Sequence, residues 1–203
     1  MLCSHHGACE AVRGQPVKCI IVGRTSEIGL ELGKRLVADG WEVEVLGRNK
    51  MTSSPWDMAI LCPGQLEPIG RFFEVSERQW EEGVMVNALY PLRVLRLLWL
   101  HHNPGACVVF LGGPNMVKPS PTYSAYRAGK AMLESLLSTL AEEYQDMRFR
   151  MLHPGVVNTK IHQQTLEAGA RAENYERVMK IVNGTETTVS HDEVYRRLKD
   201  LIA

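Results

Sequence analysis

The stretch Val17-Lys18-Cys19-Ile20-Ile21-Val22-Gly23-Arg24-Thr25-Ser26-Glu27-Ile28-Gly29 decides the fold. Its first six residues are a short, mostly apolar run closed by a glycine, the pattern of a buried strand. Helical spacing follows at once. Ile28, Leu30, Leu32, Leu36 and Val37 are apolar in the stretch to Asp39, and Gly40 ends it. Strand, glycine turn and helix in direct succession leave free helix N-terminal N–H groups at the mouth of the turn, where a phosphate can be received. Gly23 permits the tight turn and Gly29 the close packing of helix on strand. Two glycines at this spacing also fit an ordinary βα turn, so the rest of the chain has to decide.

Working outward, strand-like runs recur at Trp41–Leu46, Met58–Cys62, Ala106–Leu111 and Phe149–Leu152. Between them lie helical stretches. Ser76 with Gln79 forms a capping box opening a long helix to about His102, which Pro91 interrupts. A second helix runs from about Tyr123 to Tyr144, and Ser190 caps a third over His191–Ile202. Strands alternating with helices predict the α/β class: a single doubly wound domain over residues 17–203 with a mainly parallel sheet. Residues 1–16 have no periodicity and are read as a flexible leader.

The 203 residues are 45% apolar and 23% charged, ordinary globular composition. Twenty-three Lys plus Arg balance 23 Asp plus Glu, which argues against a nucleic-acid binder or a polybasic membrane anchor. The apolar stretch Pro91–Leu100 is broken by Arg93 and Arg96, and the first 15 residues lack the core of a signal peptide. Five cysteines, odd in number and widely spaced, read as reduced thiols of a cytoplasmic protein. Cys3, His5, His6 and Cys9 are possible metal ligands, but nothing else in the tail would fix their geometry, and no metal is expected.

Two further motifs carry chemistry. The second strand ends in Gly47-Arg48-Asn49, where a dinucleotide's adenosine ribose would sit. An acid there would favour NAD. Arg48 instead suits a 2′-phosphate, and Arg24 in the loop offers a second cation; either is otherwise a solvated surface residue. On a helix, Tyr126-Arg127-Ala128-Gly129-Lys130 puts the phenol and the ammonium on one face, one turn apart. An adjacent ammonium lowers a phenol's pKa, so the pair can shuttle a proton at a carbonyl or alcohol. Alone, Tyr-x-x-x-Lys is also a common surface pair.

Taken in order, these features resemble the short-chain dehydrogenase/reductase family over nearly all of residues 17–200. The glycine loop 22–29 is followed by Gly47-Arg48, then by Leu61-Cys62-Pro63-Gly64 where the family has Asn-Asn-Ala-Gly. Val86-Asn87, Tyr126 with Lys130, and Pro154-Gly155-Val156-Val157-Asn158-Thr159 complete the series. The resemblance implies a Rossmann-like domain and an NADP(H)-dependent oxidoreductase, with NAD(H) usable. It would transfer hydride between nicotinamide and a small carbonyl or alcohol. It implies Tyr126 as proton donor and Lys130 as ligand of the nicotinamide ribose. Asn87 would hold the backbone and the water chain that replenishes the proton. Gly23, Arg24, Thr25, Ser26, Ile28 and Gly29 would lie about the pyrophosphate, with Pro63 and Gly64 also on the cofactor. Pro154, Gly155, Val156 and Thr159 would cradle the nicotinamide and phosphates. Related members pair through the helices matching those of Asn87 and Tyr126, which implies a dimer or tetramer.

The departures are informative. Thirteen residues before Tyr126, where the family has a catalytic Ser, stands Gly113, and Asn115 is the candidate substitute donor. The loop's second glycine is Glu27, a carboxylate expected to turn outward, away from a pyrophosphate. Only eight residues lie between Arg48 and Asp57, fewer than the roughly 10–12 a crossover needs. The family's third strand is therefore expected to be missing, and its final strand too, giving a smaller sheet. Gly113 and Glu27 also keep open a second function, a cofactor-binding sensor or partner with little catalysis. Residues 160–183 read as a solvated lid, with Asn174, Tyr175 and Arg177 as alternative lining of a substrate pocket.

Overall fold

A computed structural model describes residues 16–47, 52–113 and 118–203. The expected leader, the candidate ligands Cys3, His5, His6 and Cys9, and the candidate site residues Arg48 and Asn115 lie outside the described residues. Five strands form one parallel sheet: β1 (Lys18–Val22), β2 (Glu42–Leu46), β3 (Trp56–Leu61), β4 (His102–Leu111) and β5 (Arg148–Leu152). Their order is β2-β1-β3-β4-β5. The register pairs Val22 with Leu61, Leu61 with Phe110 and Phe110 with Met151, so the carboxyl ends of the central strands finish level. The order reverses beside β1, and in such sheets the crevice at the reversal is where ligands bind. Among the described residues no strand comes between β2 and β3 in the chain or beyond β2 in the sheet, so the expected third strand is missing there. The expected final strand is also absent among the described residues.

Strand side chains alternate between two cores. Ile20, Val22, Ala59, Leu61, Val108, Phe110 and Phe149 face one side and Cys19, Ile21, Met58, Ile60, Cys107 and Val109 the other. The second face is covered by α1 (Glu27–Ala38) through Leu32 and Leu36, and by the last helix, His191–Ile202, through Val194 and Leu198. Cys19, Cys62 and Cys107 are buried free thiols.

The first face carries a long helical stretch. Ser76 caps α2 (Glu77–Val84): its Oγ accepts from Gln79 N–H and donates to the Gln79 side chain. The stretch continues as a π-helical segment, Met85–Leu89, and then as α3 (Tyr90–Leu98). Pro91 has no N–H to return to the preceding turn. The widened turn just before it, with Tyr90 N–H reaching Met85 O, accommodates that loss. By length and composition Glu77–His101 could cross a membrane, but Ala88, Val94, Leu95 and Leu98 bury one side of it on the sheet.

Beside it runs α4 (Ser124–Glu143). The two approach closely at Gly129, where a Cβ would stand 2.6 Å from Asn87 Cβ. The lid expected over 160–183 is formed by α5 (Ile161–Ala168), a 3₁₀ turn at Gly169–Arg171, and α6 (Tyr175–Val182). The terminal helix His191–Ile202 is α7, with Ser190 Oγ accepting from Glu193 N–H.

Gly129→Ala should force these two helices apart. The expected loss, from overpacking, is about 1–3 kcal/mol. Urea unfolding with an unchanged m-value would measure it; a variant as stable as the wild type would show the contact to be soft.

Candidate active site

The glycine loop has the geometry its sequence calls for. Gly23 sits at φ +116°, a value that favours glycine, and its N–H bonds Leu46 O at 3.0 Å. Ser26 caps α1 by accepting from Gly29 N–H at 3.1 Å. A Cβ on Gly29 would meet Cys62 Sγ at 2.9 Å, so this glycine lets the helix sit against the end of β3. The loop and Cys62-Pro63-Gly64 thus line the switch-point crevice together.

At the end of β2 the side chain of Arg24 lies over Gly47: a Cβ there would be 3.7 Å from Arg24 Cδ and Nε. Arg24 is exposed and has no ion-pair partner among the described residues. Thr25 is exposed beside it.

Glu27 does not turn outward as expected. Its Oε2 accepts from Lys160 N–H at 2.6 Å, across the crevice. The physical reason is an unsatisfied donor at the start of α5, a helix with no side-chain cap of its own, which a carboxylate can satisfy.

Asn87 is fully buried within the π-helical segment. Its Oδ1 accepts from Gln65 N–H at 3.0 Å, and its Nδ2 donates to Gln65 O and Gly83 O at 2.9 and 2.8 Å. It therefore fixes the backbone just past Gly64. Lys130 is buried too, and its Nζ donates to Leu111 O at 2.9 Å and Pro63 O at 3.2 Å, joining the ends of β3 and β4. Beside Gly64 a Cβ would be 3.6 Å from both Lys130 Nζ and Asn87 Oδ1, leaving a ledge on which both groups border.

Tyr126 stands next to them. A Cβ on Gly113 would lie 3.4 Å from its hydroxyl. Gly113 therefore occupies a place from which a serine side chain would reach toward the same point, and it carries no hydroxyl of its own. The same Cβ would press on Lys130 Cγ and Cβ at 3.1 and 3.2 Å. His153, not singled out from sequence, holds this loop from behind with Nδ1 at 3.2 Å from Gly113 O. Burial pushes the Tyr126 phenol up to about 12. The expected lowering by Lys130 is not found. Lys130 Nζ is 5.9 Å from the ring centroid and turned to backbone carbonyls, while burial pushes its own pKa down to about 8.

The remaining motif shapes the other wall. Gly155 takes φ +76°, Val156 O accepts from Val189 N–H, Pro154 O accepts from Arg197, and Thr159 O accepts from His162 N–H. Tyr126 packs with Leu66, Ile69, Tyr123, Ala168, Ala172 and Tyr175. The Tyr123 hydroxyl bonds Asn174 Oδ1 and Thr165 Oγ1, and Gln164 Oε1 accepts from Leu66 N–H at 2.6 Å, so the lid is docked. Arg177 points elsewhere, to Glu186. Gln164 and Thr165 carried no sequence signal, being polar residues in a segment without pattern.

Among known families, the model described as Enoyl-(Acyl carrier protein) reductase matches residues 49–191. An uncharacterized NAD-dependent oxidoreductase of Mycobacterium tuberculosis (strain CDC 1551 / Oshkosh) is 32% identical over 131 residues, 62% of this chain and 44% of that protein. An uncharacterized oxidoreductase of Schizosaccharomyces pombe is 28% identical over 105 residues, 51% of this chain and 42% of that protein. The chain spans less than half the length of these curated relatives. Among solved structures, a small-chain dehydrogenase in complex with NADPH has a TM-score of 0.77 at 17% identity, covering 93% of this chain and 91% of that one. The ligand-free aldohexose dehydrogenase of Thermoplasma acidophilum has a TM-score of 0.77 at 15% identity, covering 93% and 88%. These two likenesses show the fold.

The Lys130 shift has a measurable consequence. Between about 8 and the ordinary 10.5 the unfolded chain binds a proton at this lysine that the folded chain does not. Stability conferred by this group therefore rises with pH across that window, by on the order of 3 kcal/mol. Buried thiols and phenols titrate the other way, so the test is the difference between wild type and Lys130→Met in urea unfolding at pH 7.5 to 10.5. The difference should shift toward the wild type as pH rises; a flat difference would mean that Lys130 titrates normally.

Proposed function

The chain belongs to the short-chain dehydrogenase/reductase family, and on that premise we propose that it is an oxidoreductase interconverting a small carbonyl and its alcohol with NADP(H) as the preferred cofactor. The observation that carries this is the meeting of Tyr126, Lys130 and the ledge beside Gly64 at the level carboxyl ends of β3 and β4, facing the glycine loop. A bound nicotinamide would supply or accept the hydride. The Tyr126 hydroxyl, protonated throughout the neutral range at a pKa of about 12, gives its proton to the substrate oxygen. Lys130, buried between two carbonyls, and Asn87, locked to Gln65, present their polar groups to a ribose on the ledge. Gly23, Ser26, Ile28 and Gly29 receive the pyrophosphate, with Pro154 to Thr159 opposite.

Preference for NADP(H) rests on Arg24, a cation without an ion-pair partner among the described residues, over Gly47 where an acid would otherwise meet the ribose hydroxyls. Arg48 is the second candidate for the same phosphate. Exposed Leu97, Leu100 and Met132 on the outer side of the helices beyond Asn87 and Tyr126 support a homo-oligomer built through that face. The buried free thiols suit a reducing, cytoplasmic setting. A second reading, a sensor that binds the nucleotide with little turnover, is favoured by the missing hydroxyl at Gly113.

Steady-state assays with NADPH and NADH against aldehydes, ketones and quinones test the proposal. Tyr126→Phe should keep nucleotide binding and lose activity by at least about 100-fold. Nucleotide binding without turnover in the wild type would establish the sensor instead. Arg24→Ala should reduce the NADPH-to-NADH preference by about tenfold; an unchanged ratio, with Arg48→Ala shifting it, would move the selector to Arg48.

Gly113→Ser should raise kcat/KM by up to roughly two to three powers of ten, less whatever the contact with Lys130 costs. If Asn115 already supplies the second donor, Gly113→Ser will do little and Asn115→Ala will cost a similar factor. An active enzyme indifferent to both changes would refute the assigned catalytic loop.

A further inference from the structure

We infer that Glu27 is a latch across the cofactor crevice: its carboxylate ties the start of the lid to the glycine loop, and the pyrophosphate of a nicotinamide nucleotide has to displace it. The inference rests on the proposed nucleotide binding and adds to it a device that couples cofactor entry to lid release.

The bond from Lys160 N–H to Glu27 Oε2 is 2.6 Å long and joins residues 133 positions apart. One partner opens α1 at the phosphate-receiving turn, and the other immediately precedes α5, the first helix of the lid. These are the two rims between which the proposed pyrophosphate would pass. The lid is tied elsewhere to the far side of the crevice, by Gln164 to Leu66 and by Asn174 and Thr165 to Tyr123. Glu27 is its tie to the glycine loop.

A carboxylate at the N-terminus of α1 is favoured by the helix dipole, as a phosphate is. The two anions therefore compete for one electropositive end and repel each other. With the latch closed, the competent state is a fraction of the population, and apparent affinity falls by that fraction.

The probes are NADPH, which carries the pyrophosphate, and 2′-AMP, which carries the adenosine and 2′-phosphate without it. Binding is measured calorimetrically to wild type, Glu27→Gly and Glu27→Gln, with amide exchange at Lys160 read in the unliganded proteins. Glu27→Gly should expose the Lys160 amide to rapid exchange and tighten NADPH binding by about tenfold or more, while 2′-AMP binds all three proteins alike. Glu27→Gln keeps an acceptor without the charge and should fall between in both readouts. Equal NADPH affinity in wild type and Glu27→Gly, or unchanged Lys160 exchange, overturns the latch and leaves the proposed function standing. Failure of NADPH and NADH to bind any of the three proteins overturns the proposed function, and the latch with it.

Discussion

Asn87 is a polar side chain with no exposure, and an amide in that position is tolerable only because all of its strong bonds are made. Its carbonyl and amino groups clamp both sides of Gln65, and its amino group also reaches Gly83. This clamp sets the course of the chain after β3. That course places Pro63 O where Lys130 Nζ can find it, and Gly129, lacking a side chain, lets α4 come near enough for Lys130 to reach. Tyr126 follows, one turn earlier on the same face. One buried amide thus orients the loop, the lysine and, through the helix, the phenol.

The same burial that gives this precision sets the two titrations against each other. Removing water raises the Tyr126 phenol and lowers the Lys130 ammonium, so each moves toward its neutral form. The expectation from Tyr-x-x-x-Lys alone was an ammonium easing the phenol's ionisation. In the ligand-free chain the lysine's bonds go to Leu111 O and Pro63 O, and its charge is spent on the ends of two strands. The phenol is left protonated. Drawing the ammonium toward a ribose would exchange backbone partners for ligand ones, an adjustment of side-chain torsions alone.

Much of this was legible in the sequence. The alternation of apolar runs with helical spacing gives the class, and the caps read at Ser76 and Ser190 form where the short polar residue precedes its helix. The gap before Asp57 correctly removed a strand because chain length limits a crossover whatever the residues are. What could not be read depends on pairs distant in sequence. Glu27 looked outward-facing because its partner, a backbone N–H at Lys160, has no sequence signature. His153 behind Gly113 and Gln164 against Leu66 are equally silent. The π-helical turn at Asn87 had one visible cause, Pro91, from which only an interruption of the helix was expected.

The shortened sheet changes what has to hold a nucleotide. Among the described residues no strand stands beyond β2 that could carry a wall against an adenine. On the proposed reading, affinity on that side would come from charge instead of enclosure, which would give Arg24 over Gly47 more weight than in a deeper pocket. Charge contacts at an exposed rim are screened by salt, whereas those in the crevice between Lys130 and the glycine loop are less so. The two ends of a bound dinucleotide would therefore be held by different physics: the adenosine end by a salt-sensitive cation on an open edge, and the nicotinamide end by buried, hydrogen-bonded groups that Asn87 keeps in place. The bridge between those ends is the stretch that Glu27 occupies.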